Sequence, residues 1–140
     1  MGEPLEARMT QVLLVDDDEL SRSTIHQMLE RAGYQVRSGR SGSEALAFFR
    51  AERADLVVTD LIMPDTDGLE LIQELRKIDP AVRILAISGG GRVNAEEYLS
   101  VARKFGAAGI LAKPFSNQDL RTAVQAALAN PPEPPVLPKQ

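Results

Sequence analysis

Four short apolar runs in this chain of 140 residues end on polar side chains whose types could do chemistry together. Asp16, Asp17 and Asp18 follow residues 12–15, Asp60 follows 56–59, Ser88 follows 83–87, and Lys113-Pro114 follows 109–112. Clustered carboxylates raise one another's pKa unless a cation offsets their charge. Asp16, Asp17 and Asp60 therefore point to a divalent ion, and Mg²⁺ suits them, because it takes oxygen ligands and shares its shell between carboxylates and phosphoryl oxygens. Asp60 stands alone at the end of its run and is the candidate nucleophile, since carboxylates form aspartyl-phosphates. With a metal on one side, Lys113 on the other and the Ser88 hydroxyl as donor, the set offers the positioning and charge neutralisation that phosphoryl transfer requires. Asp18 reads more simply as a helix N-cap.

These residues meet only if the runs are neighbouring strands of one sheet. Five runs, at 12–15, 34–37, 56–59, 83–87 and 109–112, alternate with five helix-like segments, the pattern of a parallel sheet covered on both faces. The 34–37 run is the more polar and suits an edge. The fold expected is α/β: a doubly wound five-stranded parallel sheet in the flavodoxin-like order 2-1-3-4-5, with helices on both faces and the site beyond the carboxyl ends of the central strands. Tyr98, Val101, Ala102 and Phe105 recur at helical spacing, as do Leu120, Ala123, Val124 and Ala127. Ser41 with Glu44, Asn94 with Glu97 and Ser116 with Asp119 read as capping boxes or their relatives. Gly33 and Gly106 read as left-handed helix ends, and Pro80 as the break after the third helix.

Composition narrows the function classes. The chain is 44% hydrophobic and 26% charged, ordinary for a soluble globular domain. Its net charge of −4 and the scatter of its Lys and Arg argue against nucleic acid as partner. There is no Cys, no apolar run of membrane-spanning length and no signal-peptide pattern, so the expectation is a cytoplasmic protein with no membrane association. Residues 1–9 read as a disordered leader, 10–129 as the folded domain, and 130–140, with Pro131-Pro132-Glu133-Pro134-Pro135, as a Pro-rich tail. His26, the single histidine, is expected at the surface.

The segments Val15-Asp16-Asp17, Asp60-Leu61-Ile62-Met63-Pro64-Asp65-Thr66-Asp67-Gly68, Ile87-Ser88-Gly89 and Lys113-Pro114-Phe115 together resemble the response-regulator receiver domains of two-component signalling, in their stand-alone form. That resemblance implies direct Mg²⁺ ligation by Asp17, Asp60 and the Ile62 backbone carbonyl, with Asp16 acting through water. Asp60 would be the phosphoacceptor, Ser88 the switch hydroxyl and Lys113 the counter-charge. A histidine kinase or histidine phosphotransfer protein would be the donor, and an unknown downstream protein would read the result by contact, the receiver being a monomer or weak dimer. It would be a switch and not an enzyme, catalysing only its own phosphorylation and dephosphorylation. Lys113-Pro114 is expected to be cis.

Two features depart from the family's pattern. Ser88 is followed by Gly89-Gly90-Gly91, and the strand-five position that often carries Tyr or Phe holds Ile110. The switch is therefore expected to run through the glycine-rich approach to the fourth helix. Two other readings are weaker. The acids at 16–18 also match the Asp-x-Asp of haloacid-dehalogenase-like phosphatases, but Glu19 follows them and no late acidic pair follows Lys113. A phosphorylation-independent interaction module is disfavoured by the complete acid, hydroxyl and lysine set. Ser88-Gly89-Gly90-Gly91-Arg92 matches neither common nucleotide motif.

Overall fold

A computed structural model describes residues 9–61, 68–88, 100 and 102–129. Five parallel strands, β1 (Gln11–Val15), β2 (Gln35–Gly39), β3 (Leu56–Asp60), β4 (Ile84–Ser88) and β5 (Gly109–Ala112), form one sheet in the order β2-β1-β3-β4-β5. This is the expected order. Helices α1 (Glu19–Arg31), α2 (Gly42–Ala51) and α3 (Gly68–Ile78) and the C-terminal helix (Asn117–Ala129) cover it, and residues 102–104 are also helical.

Burial follows strand position. β3 and β4 are buried along their whole length, as strands flanked on both sides and covered on both faces must be. The more polar β2 is an edge strand, as its composition predicts, and β5 forms the opposite edge with half-buried residues and an exposed Ala112. One apolar cluster packs Phe49, Leu71, Ile72 and Leu75 against Leu13, Val57 and Ile84. The other packs Ile25, Leu29, Leu120 and Val124 against Val12, Leu14, Leu56 and Val58. Alternate side chains of each strand thus feed opposite faces, and α2 with α3 cover one while α1 with the C-terminal helix cover the other.

The helix ends match their local chemistry. Ser116 and Asp119 exchange bonds as a capping box, the Asp119 N–H to Ser116 Oγ and the Ser116 N–H to Asp119 Oδ2, both at 3.0 Å. Ser41 Oγ accepts from the Glu44 N–H at 3.1 Å, while the Glu44 carboxylate accepts from the preceding residue, Arg40. After α1, Gly33 at φ 99° donates to Glu30 O and Tyr34 to Leu29 O, the paired bonds of a Schellman end. Gly106 at φ 101° repeats the pattern, donating to Arg103 O while Ala107 donates to Ala102 O. The buried Arg76 guanidinium of α3 lies against that turn and reaches the Val82 and Gly106 carbonyls at 3.3 and 3.4 Å. Burial lowers its pKa from the ordinary arginine value.

His26, expected at the surface, is half-buried. Its Nδ1 is hydrogen-bonded to Ser38 Oγ of β2, and its Nε2 lies 3.4 Å from Glu30 Oε2, because α1 crosses directly over the edge strand. The expected leader apart from Met9, the tail from residue 130 onward, the Asn94–Glu97 box, Tyr98, Val101, the glycines at 89–91 and Ile62 lie outside the described residues.

Candidate functional site

Parallel register brings the polar strand ends to one edge. Val15 stands opposite Thr59, Asp60 opposite Ile87, and Ser88 opposite Ala112. The ladder continues just past three strands: the Asp16 N–H donates to Gly39 O at 3.1 Å, Leu61 to Ile87 O at 2.9 Å, and Lys113 to Ser88 O at 2.9 Å. Asp16, Asp60 and Lys113 are thereby set by backbone bonds before any side chain acts.

Carboxylate oxygens of Asp16, Asp17 and Asp60 all lie within 4.8 Å of one another. Asp16 is 1% exposed and Asp60 9%, whereas Asp17 faces solvent. The Lys113 ammonium approaches from β5, with Nζ 3.4 Å from Asp60 Oδ2 and 3.8 Å from Asp16 Oδ2. The Lys113-Pro114 peptide bond is cis, as expected. Asp16 Oδ1 accepts the Asp18 N–H at 3.0 Å, but the buried Asp16 Oδ2 has no hydrogen-bond partner among the described residues. The same is true of Ser88 Oγ. A buried acceptor without a donor is costly and calls for an explanation such as an ion. Among the described residues Lys113 approaches the carboxylates of Asp16 and Asp60, and the all-oxygen donor set of Asp16, Asp17 and Asp60 fits a hard divalent cation.

Asp18 takes the plain role expected of it: its Oδ2 accepts the Ser21 N–H at 3.1 Å and caps α1. Three neighbours of the site were not apparent from sequence. Ser21 Oγ accepts from Lys113 Nζ at 3.0 Å, Arg22 Nη1 donates to the Asp16 carbonyl at 3.0 Å, and Thr59 Oγ1 donates to the Asp60 carbonyl at 3.0 Å. Ser21 and Lys113 lie 92 positions apart, and no local signal pairs them. Ile62, named as a backbone ligand, lies outside the described residues.

The response regulator receiver domain family matches residues 12–125. This chain belongs to that family. The receiver is a phosphoacceptor signalling switch of two-component systems. Among its relatives, the chain is 33% identical over 118 residues to the chemotaxis protein CheY of Halobacterium salinarum, covering 84% of this chain and 96% of CheY. It is 33% identical over 120 residues to the response regulator receiver protein CpdR of Brucella abortus, covering 86% of this chain and 98% of CpdR. It also matches the DNA-binding transcriptional regulator NtrC of Azospirillum brasilense at 35% identity, covering 91% of this chain but only 26% of NtrC. The chain thus spans about a quarter of that relative and nearly the whole of the other two. Among solved structures, the Vibrio cholerae chemotaxis protein CheY4 superposes with a TM-score of 0.77 at 30% identity, covering 86% of this chain and all of CheY4. No described helix is long and apolar enough to cross a membrane.

Proposed function

We propose that Asp60 is the phosphoacceptor and that the acids around it hold Mg²⁺. Asp17 and Asp60 would ligate the ion directly, with the Ile62 carbonyl as a third protein ligand and Asp16 acting through water. The observation that carries this reading is the triad of carboxylates within 4.8 Å, one member of which, Asp16, keeps a buried oxygen without a hydrogen-bond partner among the described residues, near the Lys113 ammonium. Bound Mg²⁺ supplies positive charge that offsets the attacking carboxylate and the phosphoryl oxygens.

The protein's own groups do the rest. An Asp60 carboxylate oxygen attacks phosphorus, an acyl-phosphate bond forms, and the bond from phosphorus to the donor's imidazole nitrogen breaks, leaving the imidazole behind. Lys113, 3.4 Å from Asp60 Oδ2, faces the oxygens of the arriving group. Ser88 ends the adjacent strand with a buried hydroxyl that has no partner among the described residues and gains a charge-assisted hydrogen bond once a phosphoryl oxygen is near. The donor is a histidine kinase or histidine phosphotransfer protein, and a downstream protein reads the altered surface. The only reactions the domain catalyses are its own phosphorylation and dephosphorylation. We assign the receiver to residues 10–129, with 1–9 and 130–140 outside it, as a cytoplasmic monomer or weak dimer.

The test is labelling by acetyl phosphate. Label should appear only with Mg²⁺ and vanish in Asp60→Asn; undiminished label in that variant would place the nucleophile elsewhere.

A further inference from the structure

An ammonium has three protons to place and no acceptor of its own. Lys113 Nζ donates to Ser21 Oγ at 3.0 Å, while Asp60 Oδ2 and Asp16 Oδ2 lie at 3.4 and 3.8 Å. Ammonium–carboxylate bonds usually close to about 2.7–2.9 Å. The shortest of these contacts is therefore to a neutral hydroxyl, and both acids are held at longer range. Ser21 itself is anchored. Its N–H donates to Asp18 Oδ2, and the following residue, Arg22, bonds the Asp16 carbonyl, so the first turn of α1 is tied twice to the strand end that carries the acids. Ser21 and Lys113 line one cleft of about 360 Å³ between α1 and the 113–115 turn.

We propose that Ser21 is a positioning residue for Lys113. Its hydroxyl holds the ammonium off the carboxylates of Asp16 and Asp60, so that a divalent cation binds those oxygens without having to displace the lysine. The inference rests on the metal reading of the site given above. Without an acceptor on α1, the ammonium is drawn to the nearest negative charge and closes on Asp60 and Asp16, where it competes with the ion for the same oxygens. With Ser21, the lysine keeps a partner when the dication arrives and repels it. Alanine offers no acceptor at this position, whereas threonine retains the hydroxyl. The role belongs to the hydroxyl and acts through the lysine, which makes it separable by a double-mutant cycle.

Calorimetric Mg²⁺ titration of the full chain tests it, using wild type, Ser21→Ala, Ser21→Thr, Lys113→Met and the Ser21→Ala/Lys113→Met double variant. Ser21→Ala should weaken Mg²⁺ binding by about ten-fold, the lower end of the scale of one hydrogen bond to a charged group. Ser21→Thr should bind as wild type does, and Ser21→Ala should make no further difference once Lys113 is Met. Unchanged affinity in Ser21→Ala would overturn the proposal, as would an equal loss in the Lys113→Met background. A wild-type protein that takes up no Mg²⁺ would overturn the metal reading itself, an outcome distinct from either of these.

Discussion

Ser88 is completely buried, yet its hydroxyl has no partner among the described residues. Leaving such a group unsatisfied costs about 1–3 kcal/mol, so the resting domain gains nothing in stability from it. Ser88→Ala should therefore unfold in urea at a stability equal to wild type or up to about 1 kcal/mol higher. The extra stability that beryllofluoride with Mg²⁺ gives the wild type should shrink in this variant, because the hydroxyl is then missing from the one state that uses it. A loss of more than about 2 kcal/mol without the phosphoryl analogue would show that the hydroxyl is already bonded at rest. Asp16 differs from Ser88 in that its other oxygen is used, accepting the Asp18 N–H. That bond fixes the carboxylate's orientation and leaves the second oxygen facing Lys113.

At the scale of elements, the first residue of α3, Gly68, closes tightly on the end of β3 beside the site. The Gly68 N–H donates to Leu61 O at 3.0 Å, bringing the first residue of α3 back against the strand end. A Cβ on Gly68 would lie 2.4 Å from Leu61 Cα, 2.7 Å from Leu61 O and 2.8 Å from Asp60 O, all of them backbone atoms that cannot turn aside. Gly68→Ala should therefore cost about 2–3 kcal/mol of stability by overpacking. Because the backbone displaced is that of Asp60 and Leu61, the acetyl phosphate labelling rate should fall as well. Urea unfolding together with labelling at saturating Mg²⁺ checks both expectations, and a stable variant with unchanged labelling would refute the close approach. The N-terminus of α1 acts in the same way on the other side of the site, where its Asp18 cap sets Ser21 and its Arg22 holds the Asp16 carbonyl.

Across the whole molecule, the question is how a change at Asp60 reaches a surface. Ile110 of β5 is half-buried, packs against the cluster formed with α2 and α3, and stands opposite Ala86 of β4. An aliphatic side chain held in that way has no polar tip to exchange between a buried and an exposed position. The turn at Gly106, just before β5, is held by the Arg76 guanidinium, so the connection entering β5 is tied to α3. Movement of Ser88 toward a phosphoryl group should then be taken up by the stretch that follows it, which opens with Gly89-Gly90-Gly91, three residues with no Cβ to restrict the backbone. Hydrogen exchange with and without beryllofluoride should show altered protection at residues 89–100 and little at 109–112. A larger change around Ile110 would make this aliphatic residue the switch and reduce the glycines to a connection.

The strands, the helix ends and the acids were readable from residue order because their causes are local. Short apolar runs, the Ser116–Asp119 box and the left-handed glycines at 33 and 106 each act within a few residues. Placing Asp16, Asp60, Ser88 and Lys113 together required one further rule, that parallel strands present their carboxyl ends on a common edge, and the register obeys it. The bond from Lys113 to Ser21, the link from His26 to Ser38 and the seat of Arg76 beneath Gly106 follow no such rule. They depend on how closely each helix settles on the sheet and on which rotamers remain once the apolar faces are packed. These distances are set jointly by the whole core, so they exist only in the folded molecule.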